Sequence, residues 1–242
     1  MKHVKTITLL ALSSALLLAG CDKSLSKEAF MDAYNQAKEY TQVTNTDIKN
    51  VHIQNKLGNE SYNYKEGEFY SHKLFALLLI VPITTDVYTW KEDGKFYYAE
   101  RHTDSKKNID KEITEEQFNT YMEGFRVTLF AKLAEPFVLA DNLLSDNQEG
   151  YKEVSNKYKK TFKGAYSLVS KVTNEQENTT YDENNNPVTT VETKTTNYNL
   201  EFKNNLPAKY YSKVDKSETT WTYTYGKAEL KKPSTSSENS GE

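Results

Sequence analysis

The chain is poor in the residues that build disulfide scaffolds, metal centres and phosphate cradles. Its 242 residues include one cysteine, Cys21, which excludes an internal disulfide. The nine glycines are scattered, and neither a glycine-rich phosphate loop nor a GxSxG nucleophile elbow can be traced. Beyond position 3 the histidines are His52, His72 and His102; none sits in HExxH and no two have ligand spacing. His102 with Asp104 could touch a cation, but their polar surroundings read as a solvated loop. No apolar run after Cys21 approaches the roughly 20 residues of a membrane-spanning helix. These absences leave no nucleophile, base or metal set to nominate. The chain is expected to be no enzyme and to need no metal and no cofactor.

What is present begins with MKHVKTITLLALSSALLLAGC. Lys2 and Lys5 form a positive n-region, an apolar stretch runs to Leu18, and small residues follow, as in a secretory signal. Leu18-Ala19-Gly20-Cys21 resembles the bacterial lipobox at every position. That resemblance implies cleavage before Cys21, lipidation of its sulfur, and residence at the cell membrane, lipid-anchored on the extracytoplasmic face. The two or more acyl chains of such an anchor hold a protein stably. Losing Lys2 and Lys5 from 31 basic residues leaves 29 against 34 acidic ones. That balance argues against nucleic acid and against a basic lipid-binding patch. The expected organisation is a signal over 1–20, a lipidated tether over 21–25, one domain over 26–231 and a polar, disordered tail over 232–242.

Within the domain, Ser26 is placed to cap a helix whose stripe is Phe30, Ala33, Tyr34, Ala37 and Tyr40. Val51–Ile53, Tyr62–Tyr70, Val87–Trp90 and Phe96–Glu100 read as strands. Asp93-Gly94 supplies a hairpin turn, and His102–Asp110 a polar connection. Thr114-Glu115-Glu116-Gln117 is a capping box, opening a helix with Phe118, Tyr121, Met122 and Phe125 on one side. A second apolar helix, LFAKLAEPFVLADNLL, should be kinked or split by Pro136. The acidic cluster Asp110, Glu112, Glu115 and Glu116 suits a helix start. Asp182–Asn186 lacks the EF-hand pattern and reads as a hairpin tip.

The C-terminal third alternates with period two: Phe162, Tyr166, Leu168 and Val172, then Tyr198, Leu200 and Phe202, then Tyr210, Ser212 and Val214, then Trp221, Tyr223 and Tyr225. Such alternation makes an antiparallel meander with one wet face. Two segments, LEFKNNLPAKYY over 200–211 and WTYTYGKAELKKP over 221–233, resemble the closing strands of the LolA-like and LppX-like lipoproteins. The resemblance implies an α+β fold in which a strongly bent antiparallel sheet, a half-barrel, carries helices on its concave face and lipid in the cavity between.

The run LFALLLIVPI, residues 74–83, stands out in a chain of mean hydropathy −0.78, because it holds no charge and no hydrogen-bonding side chain. Three readings compete. It is core beneath the helices of 114–144; or it is the wall or lid of an apolar cavity; or it is a loop dipping into the membrane interface. The cavity reading names Leu74, Phe75, Leu77, Leu78, Leu79 and Ile80 on one side and Phe125, Phe130, Leu133 and Phe137 on the other. The expected function is binding of a lipid or other amphiphile in that cavity. The competing class is an interaction module that binds a protein or glycan, with aromatic residues such as Trp90 and Trp221 as first suspects for stacking on a sugar.

Overall fold

The computed structural model describes residues 22–42, 47–77, 81–145, 151–214, 216–228, 230, 232 and 233. Residues 1–20, Cys21, Leu78, Leu79, Ile80 and the residues beyond 233 lie outside the described residues, as do the side chains of Phe75 and Leu77. The first half of the chain forms β1 (Lys23–Leu25), α1 (Lys27–Tyr40), β2 (Asn50–Asn55), β3 (Glu60–Lys65), β4 (Glu68–Leu77), β5 (Val81–Glu92), β6 (Lys95–His102) and β7 (Ile109–Ile113). Then come α2 (Glu115–Leu144), β8 (Glu153–Lys160), β9 (Tyr166–Tyr181), β10 (Pro187–Lys203), β11 (Leu206–Val214) and β12 (Ser217–Tyr225). The protein is therefore α+β, mostly antiparallel sheet with two helices among the described residues. It divides into two compact units, one holding residues up to 40 and 136–218, the other 41–135 and 219 onward.

In the first unit the strands run β1-β8-β9-β10-β11, each antiparallel to its neighbour. Ser26 Oγ accepts from the Ala29 N–H at 3.3 Å and caps α1. Phe30, Tyr34 and Ala37, spaced as one helical stripe, are fully buried. They meet Leu168, Leu200 and Phe202 from the sheet and Phe137, Ala140 and Leu144 from α2. Phe202 stands edge-on to Phe30 and Phe137, with ring centroids 5.6 and 5.8 Å away. The Tyr34 hydroxyl reaches the Phe137 carbonyl at 2.6 Å and an Asp141 carboxylate oxygen at 2.9 Å. Burial, reinforced by Asp141, pushes its phenol well above the ordinary range. Lys23–Leu25, within the segment expected as a tether, pairs with Tyr158–Lys160.

In the second unit β2 to β7 follow one another as hairpins, and β12 pairs with the free side of β2. The single strand expected over Tyr62–Tyr70 is two strands. Glu66 and Gly67, at φ 38° and 91°, turn the chain between them. Glu-Gly gives less of a hairpin signal than Asp-Gly, whereas Asp93-Gly94 turns as expected at φ 50° and 76°. The connection expected over 102–110 contains a single 3-10 turn and the start of β7. Phe162, placed on a strand by its alternation, lies outside the sheet and is 60% exposed, because Gly164 at φ 80° turns the chain before β9 begins.

The capping box at α2 forms in both directions: Gln117 N–H donates to Thr114 Oγ at 3.2 Å, and Thr114 N–H to Gln117 Oε1 at 3.0 Å. Pro136 neither ends nor splits the helix, contrary to the sequence expectation. Proline deprives the Lys132 carbonyl of its helical donor. The Tyr223 hydroxyl lies 3.4 Å from that carbonyl and replaces part of the loss. Burial of Phe137, Ala140 and Leu144 just beyond the proline offsets the rest, at roughly 1.5–3 kcal/mol per large side chain.

Candidate functional site

The second unit's sheet has two chemically opposite faces. Strand alternation sends Val51, Ile53, Tyr62 and Phe69 to one of them, where all four are buried. Phe125 of α2 stacks on Phe69 at 4.2 Å, and Tyr121 stacks on Tyr98 at 4.4 Å, so α2 covers this face. The other face carries polar rows set by register. Gln54 pairs with Ser61, Ser61 with His72 and His72 with Asp86. One step along, His52 pairs with Asn63, Asn63 with Tyr70 and Tyr70 with Tyr88.

A pocket of about 470 Å³ opens on these rows, lined by His52, Gln54, Gly58, Ser61, Asn63, Tyr70, His72 and Lys227. Its side chains are held by their neighbours. His52 Nδ1 lies 2.7 Å from Asn63 Oδ1, and Nε2 lies 3.3 Å from Gln54 Oε1. A neutral imidazole donates through one nitrogen and accepts through the other, so one of these amides meets His52 by its oxygen and the other by its N–H₂ group. A Cβ added at Gly58, whose φ is +70°, would stand 3.4 Å from Gln54 Nε2, so this corner suits glycine. Asp86 stands beside the pocket on the same face; its Oδ1 accepts from the Tyr70 hydroxyl at 3.0 Å and meets His72 Nδ1 at 2.7 Å. Burial, with Asp86 next in weight, raises the Tyr70 phenol above its ordinary range. Among the described residues the lining holds one lysine, two histidines and no carboxylate.

Ser61, His72 and Asp86 are the residue types of a nucleophile, a base and an orienting acid, side by side across three strands. Among the described residues no hydrogen bond joins Ser61 to His72, the link a nucleophile needs for activation.

The residues nominated from sequence are distributed differently. Phe125, Phe130 and Leu133 belong to the second unit and Phe137 to the first. Phe130, Leu133 and Phe137 are buried, and Phe125 is half-buried against Phe69. Leu74 is half-buried beside a cleft of about 160 Å³ shared with Asn55, Asn59, Glu60 and Lys73, which is small and polar. Phe75 and Leu77 pair through their backbones with Ile83 and Val81. Trp90 and Trp221 offer no open ring face: Trp90 is buried and stacked on Tyr97, and Trp221 is buried with Lys132 Nζ 4.8 Å from its ring. His102 meets Glu100 and Thr85, while Asp104 caps the 3-10 turn. Asp110 pairs with Arg101 and Glu112 with Lys95. Among the described residues no three His, Cys, Asp or Glu side chains gather as a metal site, and no helix is long and apolar enough to cross a membrane.

No family model matches the chain, and neither a curated protein nor a solved structure does.

Proposed function

We propose that the protein is a lipid-anchored binding module of the extracytoplasmic membrane face, without catalytic activity, and that the helix-free pocket of its second unit holds an acidic glycan. One observation carries this reading. In a chain with an acidic surplus, the pocket gathers Lys227, two imidazoles and two side-chain amides, with no carboxylate among its described lining residues. A carboxylate-bearing sugar supplies the matching acceptors, and charge-assisted hydrogen bonds are the strong ones. The volume suits one or two sugar rings. The lipobox resemblance supplies the anchor at Cys21 and the localisation. The half-barrel with helices on its concave face belongs to the same proposal, on the resemblance to LolA-like and LppX-like lipoproteins alone. Occupation of the Phe125 and Phe137 surroundings by other aromatic rings favours the module over a lipid-filled cavity.

The test is an NMR titration of the mature chain carrying Cys21→Ser with an oligomer of glucuronic acid. A neutral glucose oligomer serves as control. Saturable shifts are expected at the amides of residues 52–54, 61–63, 70–72 and 227. Lys227→Ala should weaken binding about tenfold, the worth of a charged hydrogen bond. Shifts that map elsewhere, or binding indifferent to Lys227, would sink the reading.

A further inference from the structure

The two imidazoles of the pocket have different partners. His72 Nδ1 lies 2.7 Å from Asp86 Oδ1, so a proton added to that ring meets a carboxylate on the neighbouring strand. His52 has two neutral partners, with Asn63 Oδ1 2.7 Å from Nδ1 and Gln54 Oε1 3.3 Å from Nε2. Side-chain amides can meet either form of the ring. A neutral imidazole takes one amide oxygen and one N–H₂ group; an imidazolium donates from both nitrogens and takes both oxygens. The structure shows both oxygens turned to the ring, the arrangement an imidazolium needs. In that state the N–H₂ groups of Asn63 and Gln54, both lining the pocket, have no partner among the described residues.

The surroundings of His52 supply no counter-charge. It stands opposite Thr224 of β12 and Asn63 of β3. Tyr70, His72 and Lys227 share the pocket with it. Lys227 is set there by the chain after β12, where the Gly226 and Ala228 N–H groups donate to the backbone and side-chain oxygens of Asn50 at 3.0 and 2.7 Å. The next row along the sheet is Asn50, Lys65 and Glu68, and Glu68 faces Lys65 and acts on Lys232. Asp86 is engaged by Tyr70 and His72.

We propose that the pocket takes up one proton together with its anionic ligand, and that His52 carries it. This rests on the reading of the pocket as an acidic-glycan site and makes that site pH-gated. The proton comes from water. It turns the amide that met His52 by N–H₂, so that both amides now meet the ring by oxygen. One acceptor on the pocket wall becomes a donor as the ring gains its charge, and both changes favour an anion. By linkage the ligand binds more tightly as pH falls through the range in which imidazole titrates, and in return it raises the proton occupancy of the ring.

The experiment is calorimetry of the mature chain carrying Cys21→Ser with an oligomer of glucuronic acid, at about pH 6 and about pH 8, between which imidazole changes charge and the sugar carboxylate does not. Binding should be about tenfold tighter at the lower pH, the worth of one charged hydrogen bond. At pH 7, buffers of different ionisation enthalpy should reveal net proton uptake. His52→Gln should bring the ratio of the two affinities close to one, whereas His72→Gln should keep it. In the parent chain, ring ¹⁵N shifts of His52 should move toward the imidazolium on adding the oligomer, a readout that needs no variant. Binding in the pocket with equal affinity at both pH values, or a bound His52 that stays neutral, would overturn the proposal and leave the glycan reading standing. A ratio lost in His72→Gln and kept in His52→Gln would overturn it in the same way. Absence of binding at both pH values would overturn the proposal and the glycan reading together.

Discussion

Two hairpins, one in each unit, run past the strands beside them. The β9–β10 ribbon leaves β8 after Thr173 and β11 before Thr196, so among the described residues the strand pairing of 174–194 is with each other alone. The β4–β5 ladder likewise runs on past β3 and β6, over Phe75–Leu77 and Val81–Ile83, where Thr103 Oγ still donates to the Pro82 carbonyl at 3.2 Å. The backbone device is shared and the side chains are opposite. The longer ribbon is Thr, Asn and Glu for most of its length. Its tip is tied by Asp182, which accepts from the Asn184 and Asn186 N–H groups, each at 2.8 Å. Hydrogen bonds from Asn186 hold the Asp182 carboxyl below its usual range. Water satisfies such a ribbon on every side. The shorter ribbon has apolar side chains, and leaving those of Pro82 and Ile83 in water is unfavourable by the same physics that fills the core. Pairing pattern thus takes both past their neighbours, while polarity decides how water meets each.

The comparison can be broken first at a base. Phe202 closes the root of the polar ribbon by packing on Phe30, Tyr34, Phe137 and Tyr166. Phe202→Ala should cost about 3–5 kcal/mol in denaturant unfolding. If it cost no more than a surface substitution, the assigned core of the first unit would be wrong. At the other extreme, residues 178–190 can be replaced by Asn-Gly to close the ribbon early, between Glu177 and Val191, which face each other. The denaturation midpoint should move by less than about 0.5 kcal/mol, as for surface changes away from packed features. A larger loss would mean that the polar ribbon is buttressed by something other than its own pairing.

How far the sequence could be read follows from the same local chemistry. Asp93-Gly94 and Asn204-Asn205 announce hairpins because their residue types favour positive φ, and all four adopt it. The capping box fixed the start of α2, since both of its hydrogen bonds are encoded within four residues. The continuity of α2 through Pro136 was not legible, because the hydroxyl that meets the stranded Lys132 carbonyl comes from Tyr223, 91 residues away. The polar pocket was missed for a related reason. His52, Ser61, Asn63, Tyr70 and His72 alternate with buried residues, but only the Glu66-Gly67 turn brings their strands into register. Reading Tyr62–Tyr70 as one strand scattered the set. The apolar run was conspicuous by composition; its position at a hairpin end required knowing where β3 and β6 stop.

Native mass spectrometry decides most directly between recognition on an open polar face and storage of lipid in a cavity. The mature chain with Cys21→Ser, purified without detergent and mixed with membrane lipids, should give the polypeptide mass alone, because aromatic side chains already occupy the surroundings of Phe125 and Phe137. Added mass at fixed stoichiometry, lost on denaturation and extractable as lipid, would mean that acyl chains find room inside the protein, and would contradict the filled core on which the binding-module reading rests.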